Sequence, residues 1–253
     1  MKRWLIRVAL IFVILIAVAA IAGWIANEPR PEGTPTAEAD ALARKIEAAV
    51  KKEEWDRTGA IWWSFGDRFV HLWDRNRNLA RVRWEDNEVL LDISTKTGIA
   101  TKGGKRVEGA DAAPLLDKAY SRWVNDSFWL NPLVKLFDDG TTRSIVKQDD
   151  GSDALLISYS SGGVTPGDAY LWIMGEDDLP KAWKMWVGIL PIGGLEISWE
   201  RWLDLPNGAK ISTLHKGLFT LEIKDVQTAP SVTAVESEDP FVALTTPSSQ
   251  PAN

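Results

Sequence analysis

The chain has 253 residues, 45% of them hydrophobic and 25% charged, which suits one globular domain with attachments. The absence of cysteine excludes disulfides, thiolate metal sites, a cysteine nucleophile and a lipidated N-terminal cysteine, and two histidines, His71 and His215, are too few for a three-histidine metal site. A net charge of −6 with no basic patch argues against nucleic acid as a partner and against adsorption to anionic lipid headgroups.

Residues Val8 to Ala26 are uncharged and mostly Val, Ile, Leu and Ala, and a helix over them has about the length that crosses ~30 Å of hydrocarbon. Lys2, Arg3 and Arg7 precede the run, so the positive-inside rule puts the N-terminus in the cytoplasm and everything after residue 27 outside. Trp4 and Trp24 suit the two interfacial belts. The expected location is therefore the bacterial inner membrane, as a single-pass protein with its C-terminal domain in the periplasm. The alternative is a cleaved signal peptide and secretion to the periplasm, since Ala20-Ile21-Ala22 has small-x-small spacing. The run is long for a signal segment, which favours a retained anchor. Residues 28–35 read as a linker containing Pro29, Pro31 and Pro35, residues 36–227 as the folded domain, and residues 228–253, rich in Pro, Ser, Thr and acidic side chains, as a disordered tail.

Leu42, Ile46, Ala49 and Val50 recur at helical spacing and predict a helix from about Thr36 to Glu53. From Trp55 to Val107 the period becomes two. Ile61, Trp63 and Phe65 share a face, as do Phe69, His71 and Trp73, then Ala80, Val82 and Trp84, then Val89, Leu91 and Ile93, with turn residues between the runs. Connections this short make an antiparallel meander. A second helix is expected over Ala110 to Asn125, with Asp111 as its cap and Pro114 in its first turn. Asn125-Asp126 read as its C-terminus and a structural polar pair, and Phe128 to Phe137, with Pro132 inside, as a broken helix or buried loop. Strands resume at Arg143–Gln148, Ala154–Ser160, Asp168–Met174, Lys181–Val187, Leu195–Leu203 and Phe219–Lys224. The fold class is mainly β (α+β): a curved, unclosed antiparallel sheet around a central helical plug, behind an N-terminal transmembrane helix.

The chain shows no catalytic motif. Ser160-Ser161-Gly162-Gly163 lacks the leading glycine of a nucleophile elbow, and Gly103-Gly104-Lys105 lacks phosphate-loop spacing. Asp149-Asp150-Gly151-Ser152 is a hairpin turn without the downstream glutamate of a calcium loop. No catalytic residue, metal or cofactor is expected.

There are 14 Trp against 3 Tyr and 7 Phe, which suits either a Trp-rich core or an aromatic-lined cavity. Tyr170, Trp172 and Met174 share one strand face, Trp183 and Met185 another, and Trp199 a third. As neighbours these strands form one aromatic and thioether surface, facing Trp123, Phe128 and Trp129 from the central segment, and such a surface suits a pliable acyl chain.

Trp123-Val124-Asn125-Asp126-Ser127-Phe128-Trp129-Leu130, followed by Pro132, Lys135, Leu136 and Asp138, together with Thr165-Pro166-Gly167-Asp168-Ala169-Tyr170 and Leu179-Pro180-Lys181-Ala182-Trp183, resembles an uncharacterised exported subfamily of the outer-membrane lipoprotein carrier (LolA/LolB-like) superfamily. The resemblance covers roughly Thr36 to Val226. It departs at Asp138-Asp139-Gly140-Thr141, which is more polar than the pattern. It implies an unclosed half-barrel whose concave side holds acyl chains, and no catalytic residue. The expected function is binding of a lipid or lipoprotein acyl chain by a membrane-anchored extracytoplasmic protein, not catalysis. The alternative is an envelope protein–protein interaction domain whose aromatics are all core.

Overall fold

The computed structural model describes residues 27–161 and 166–245, with residues 4, 7, 11, 12 and 23 of the N-terminal stretch. The expected membrane-spanning run thus falls almost wholly outside the described residues. Among the described residues no helix is long and apolar enough to cross a membrane.

The strands are β1 (Ala60–Phe65), β2 (Phe69–Asp74), β3 (Leu79–Trp84), β4 (Asn87–Asp92), β5 (Thr97–Lys102), β6 (Lys105–Val107), β7 (Thr141–Lys147), β8 (Asp153–Tyr159), β9 (Ala169–Met174), β10 (Pro180–Trp186), β11 (Leu195–Ser198), β12 (Glu200–Asp204), β13 (Lys210–Lys216) and β14 (Thr220–Ala229). They form a nine-stranded sheet, β12-β13-β14-β1-β2-β3-β4-β5-β6, and a five-stranded sheet, β11-β10-β9-β8-β7. All pairings are antiparallel and neither sheet closes. The run predicted as one strand, Leu195–Leu203, is two. Trp199 separates β11 from β12, Arg201 takes a φ of 52°, and the chain passes there from the small sheet to the large one.

Period-two alternation decides which side chains meet. Ile61, Trp63, Phe65, Ala80, Val82, Val89 and Leu91 point to the inner face with Leu155, Ile157, Trp172 and Trp183 of the small sheet. Leu72, Leu79 and Leu90, one residue out of phase, form a separate cluster on the outer face. Two helices close the inner side. Helix α1 (Ala37–Ala49) buries Ala39, Ala43 and Ile46, and Thr36 caps it by accepting from Ala39 N at 3.2 Å. Lys51 at φ 53° breaks the helix, and the short α2 (Lys52–Asp56) follows, so the single predicted helix is two. Helix α3 (Ala113–Leu130) crosses the inner face.

Three expectations need correction. Helix α3 starts at Ala113 and runs past Asn125-Asp126 to Leu130, so the pair lies inside the helix rather than at its end; Pro132 disfavours helical backbone at Asn131 and stops it there. The segment 28–35 is no free linker. Trp186 Nε1 donates to Glu28 O at 2.8 Å, Lys184 Nζ meets Glu28 at 2.8 Å, and Pro35 bridges Ser144, so the segment lies against the outer face of the small sheet. Nor is the tail disordered from residue 228. Residues 228–245 finish β14 and continue through a 3-10 turn, Val232–Ala234, to the short helix α4 (Val242–Thr245). Val232 and Phe241 are buried on Ala60, Leu72, Leu79 and Leu90. Two apolar side chains and two acidic ones hold it: Arg81 reaches Glu236 through both terminal nitrogens, and Arg77 grips Asp239 at 2.7 and 2.9 Å. Its overall composition concealed these four contacts. Phe241, just before α4, also lies beneath the Arg77 guanidinium, whose carbon stands 5.6 Å from the centre of the Phe241 ring.

Candidate functional site: an aromatic core and the cavity beside it

Antiparallel register builds the aromatic core. Trp183 on β10 faces Trp172 on β9 and Ile197 on β11, and Met185 faces Tyr170 and Leu195. The strands carrying the predicted binding residues are thus immediate neighbours. Trp199, at the passage between the sheets, closes the group. Ring centres lie 4.9 Å apart for Trp172–Trp183, 4.9 Å for Trp172–Trp199 and 5.0 Å for Trp183–Trp199. From α3, Trp129 meets Trp183 edge-on at 4.7 Å. Trp172 and Trp183 are fully buried, and Met185 and Trp199 nearly so. These side chains fill space. Met174, at the far end of β9, packs half-buried at the edge of the same cluster.

The remaining predicted residues, Trp123, Phe128 and Tyr170, line a cavity of about 290 Å³. Its walls include Tyr120, Val124 and Asn125 of α3 and Tyr159 of β8. Phe128 meets Tyr170 at 5.2 Å and Tyr159 at 5.7 Å, so three rings from three elements, α3, β8 and β9, make one wall. Lys135, Asp138, Asp139, Ser161 and Asp168 supply polar groups. The Tyr159 hydroxyl is buried without a hydrogen-bond partner, whereas the Tyr170 hydroxyl bonds Asp168. Burial pushes both phenols well above their ordinary range, so both stay protonated at neutral pH. Tyr159, Lys135 and Asp168 were missed as site residues. The signal for Tyr159 was present: it alternates with Leu155 and Ile157 on the inner face of β8.

The Asn125-Asp126 pair has a structural partner in the sheet. Asp126 is fully buried in α3, and its Oδ2 lies 2.8 Å from His71 Nε2 on β2. Arg122 Nη2 donates to Oδ1 at 2.7 Å and Asn125 Nδ2 donates to the same oxygen at 2.8 Å. A carboxylate can only accept, so the His71 proton sits on Nε2. The imidazole stacks on Trp63, with centres 4.6 Å apart. Burial holds the His71 pKa below its ordinary value, outweighing the pull of Asp126. A neutral His71, Asp126 and the Arg122 guanidinium thus form a charge-balanced link between helix and sheet. Ser127, next in sequence, donates instead to Val124 O at 3.2 Å. The second histidine, His215, is buried between Trp199 and Trp129, at 4.3 and 5.4 Å, and desolvation lowers its pKa to about 4. Among the described residues no three His, Asp or Glu side chains could hold a metal ion.

Fold and site together define a mainly β protein of open antiparallel sheets with a few helices, an aromatic core and a cavity beside its central helix. Among solved structures, the chain is similar to the crystal structure of a DUF1329 family protein from Desulfovibrio piger, at 10% identity and a TM-score of 0.40, over 74% of this chain and 92% of that one. No protein-family model matches the sequence, and no curated protein matches it.

Proposed function

We propose that this chain is a membrane-tethered extracytoplasmic half-barrel of the LolA/LolB-like kind, which takes an apolar chain, such as that of a lipid or lipoprotein, into the cavity beside α3. The observation that carries the reading is the cavity itself, walled by Trp123, Phe128, Tyr159 and Tyr170 next to a core already filled by other aromatics. Its volume of about 290 Å³ stands at the lower edge of the ~300–1,000 Å³ usual for ligand pockets. Each methylene withdrawn from water contributes ~0.8 kcal/mol, so an acyl chain can bind with no charged contact. The apolar run Val8–Ala26 behind Lys2, Arg3 and Arg7 supplies the tether.

The test is uptake of a fluorescent fatty-acid probe. Val124 lines the cavity from α3, and Val124→Trp fills it. The reading expects wild-type uptake and loss of uptake in this variant with the fold retained. Equal uptake by both would place the ligand elsewhere, and none by either would leave the second reading, an envelope interaction domain. The complete burial of Trp172 and Trp183 is the observation that favours that second reading.

A further inference from the structure

The two ends of the β9–β10–β11 and β12–β13–β14 hairpins differ in chemistry. At one end the β9–β10 turn carries Glu176, Asp177 and Asp178, all exposed, and β12 ends on Asp204 with Asn207 in the turn that follows. At the opposite end the β10–β11 loop is Val187-Gly188-Ile189-Leu190-Pro191-Ile192-Gly193-Gly194, without one polar side chain, and the β13–β14 turn is Gly217-Leu218-Phe219. Both apolar tips lie at the same end. Lys216 N donates to Ser198 Oγ at 3.1 Å, and a Cβ on Gly217 would stand 2.6 Å from Glu196 O, so β13 runs back along β11 toward Leu195, where the β10–β11 loop ends. Ile189 is 73% exposed and Leu218 83%, with Phe219 at 45%.

Two further features converge there. First, the chain enters the domain against this loop. Asn27 Oδ1 accepts from Gly193 N at 2.8 Å, and Glu28 N donates to Gly193 O at 3.1 Å. The contact is close enough that a Cβ on Gly194, at φ 79°, would fall 2.5 Å from Glu28 Cβ. One residue before Asn27 the apolar run ends, and a Cβ on Gly23 would lie 3.8 Å from Ile192 Cδ1. Second, the cavity borders this end. Asp168, one of its lining residues, accepts from Gly188 N at 2.9 Å.

From this coincidence of chain entry, apolar tips and cavity border, we infer that this end of the domain docks on the lipid bilayer, with Ile189 and Leu218 dipping into it and the cavity presented to the membrane surface. The inference rests on the tether proposed above and adds the orientation of the domain on it. The tether raises the local concentration of the tips at the bilayer, so two exposed aliphatic side chains hold the domain where they would not hold a free one. The interaction is apolar, so it needs no anionic lipid and resists salt, consistent with an acidic domain.

The chain has no cysteine, so single labels are unambiguous. Ile189→Cys, Leu218→Cys and, on the opposite turn, Glu176→Cys each alter an exposed position and leave the core intact. Each full-length variant, carrying a polarity-sensitive fluorophore, is reconstituted into phosphatidylcholine vesicles with and without a spin-labelled lipid. Flotation with the vesicles reports the tether. The expected result is loss of most emission from the labels at 189 and 218, unchanged by 0.5 M salt, and none from the label at 176. Chains that float with the vesicles while all three labels stay unquenched would overturn the docking inference and leave the tether standing. Chains that do not float would overturn both.

Discussion

Trp183 separates a filled aromatic core from a hollow one most sharply. Its ring is fully buried and touches Tyr170 at 4.6 Å, Trp129 at 4.7 Å, Trp172 at 4.9 Å and Trp199 at 5.0 Å. Trp183→Ala removes the transfer free energy of a whole indole and leaves a void that the four surrounding rings, held by strands, by α3 and by the passage between the sheets, cannot collapse into without moving the backbone. Such truncations cost about 3–5 kcal/mol, and the loss of several aromatic pairs, at ~0.5–1.5 kcal/mol each, puts this one at the upper end. Phe128→Ala is the control. That ring is half-buried and already borders open space, so its loss should cost clearly less, about 1–3 kcal/mol. Urea denaturation followed by far-ultraviolet circular dichroism reads both through the midpoint at constant slope. In a domain of this size each kcal/mol also moves Tm by ~2–4 °C. A Trp183→Ala variant within about 1 kcal/mol of wild type would refute the filled-core assignment and return Trp172, Trp183 and Trp199 to the cavity wall.

The remaining predictions concern the polar links. Asp126→Ala leaves His71 and Arg122 facing a buried gap and should destabilise by about 3–5 kcal/mol, with Asp126→Asn milder because the amide can still accept from His71; thermal unfolding that ranks the two the other way would contradict the link. Lowering the pH should weaken the fold through His215. Its pKa of about 4 lies below the unfolded value of ~6.5, so the unfolded chain binds the proton first, and stability falls across that window by roughly 3 kcal/mol, at ~1.36 kcal/mol per unit. A His215→Phe variant with an undiminished slope of stability between pH 6.5 and 4 would rule this out. Glu236 and Asp239 titrate with the opposite ionisation but the same outcome. Arg81 and Arg77 hold their carboxyls below the ordinary range, so the contribution of the C-terminal segment is present above pH ~4.5 and lost as the pH falls through the folded values. Glu236→Gln should open that segment to limited proteolysis at neutral pH while the aromatic core stays protected; an unchanged cleavage pattern would show that Phe241 and Val232 hold it alone.

Much of this architecture could be read from alternation alone. Phe69-His71-Trp73 and Ala80-Val82-Trp84 face inward as their period requires, and their out-of-phase neighbours Leu72 and Leu79 face the outer layer. The juxtaposition of Trp172 with Trp183 followed from short hairpins. What escaped the sequence were contacts between distant residues. Asn125-Asp126-Ser127 reads locally as a helix end, because polar residues in a row favour caps. The helix continues because His71, 55 positions earlier, takes up the buried carboxylate. Residues 28–35 and 228–245 have the composition of free chain, yet Glu28 and Glu236 each find a cation in a strand, and Asp239 finds one, Arg77, in the β2–β3 turn. The cavity was half legible: Trp123, Phe128 and Tyr170 line it, whereas Trp172, Trp183, Met185 and Trp199 have the same chemistry and are spent on packing. Side-chain type did not distinguish wall from core; position relative to α3 did.

Native mass spectrometry of the full-length chain purified in a mild detergent tests the central claim most directly. The account predicts a population carrying an added mass of one lipid or acylated species, released by organic extraction and absent from Val124→Trp. A single mass equal to the bare polypeptide in both, from a chain that also takes up no fatty-acid probe, would contradict it.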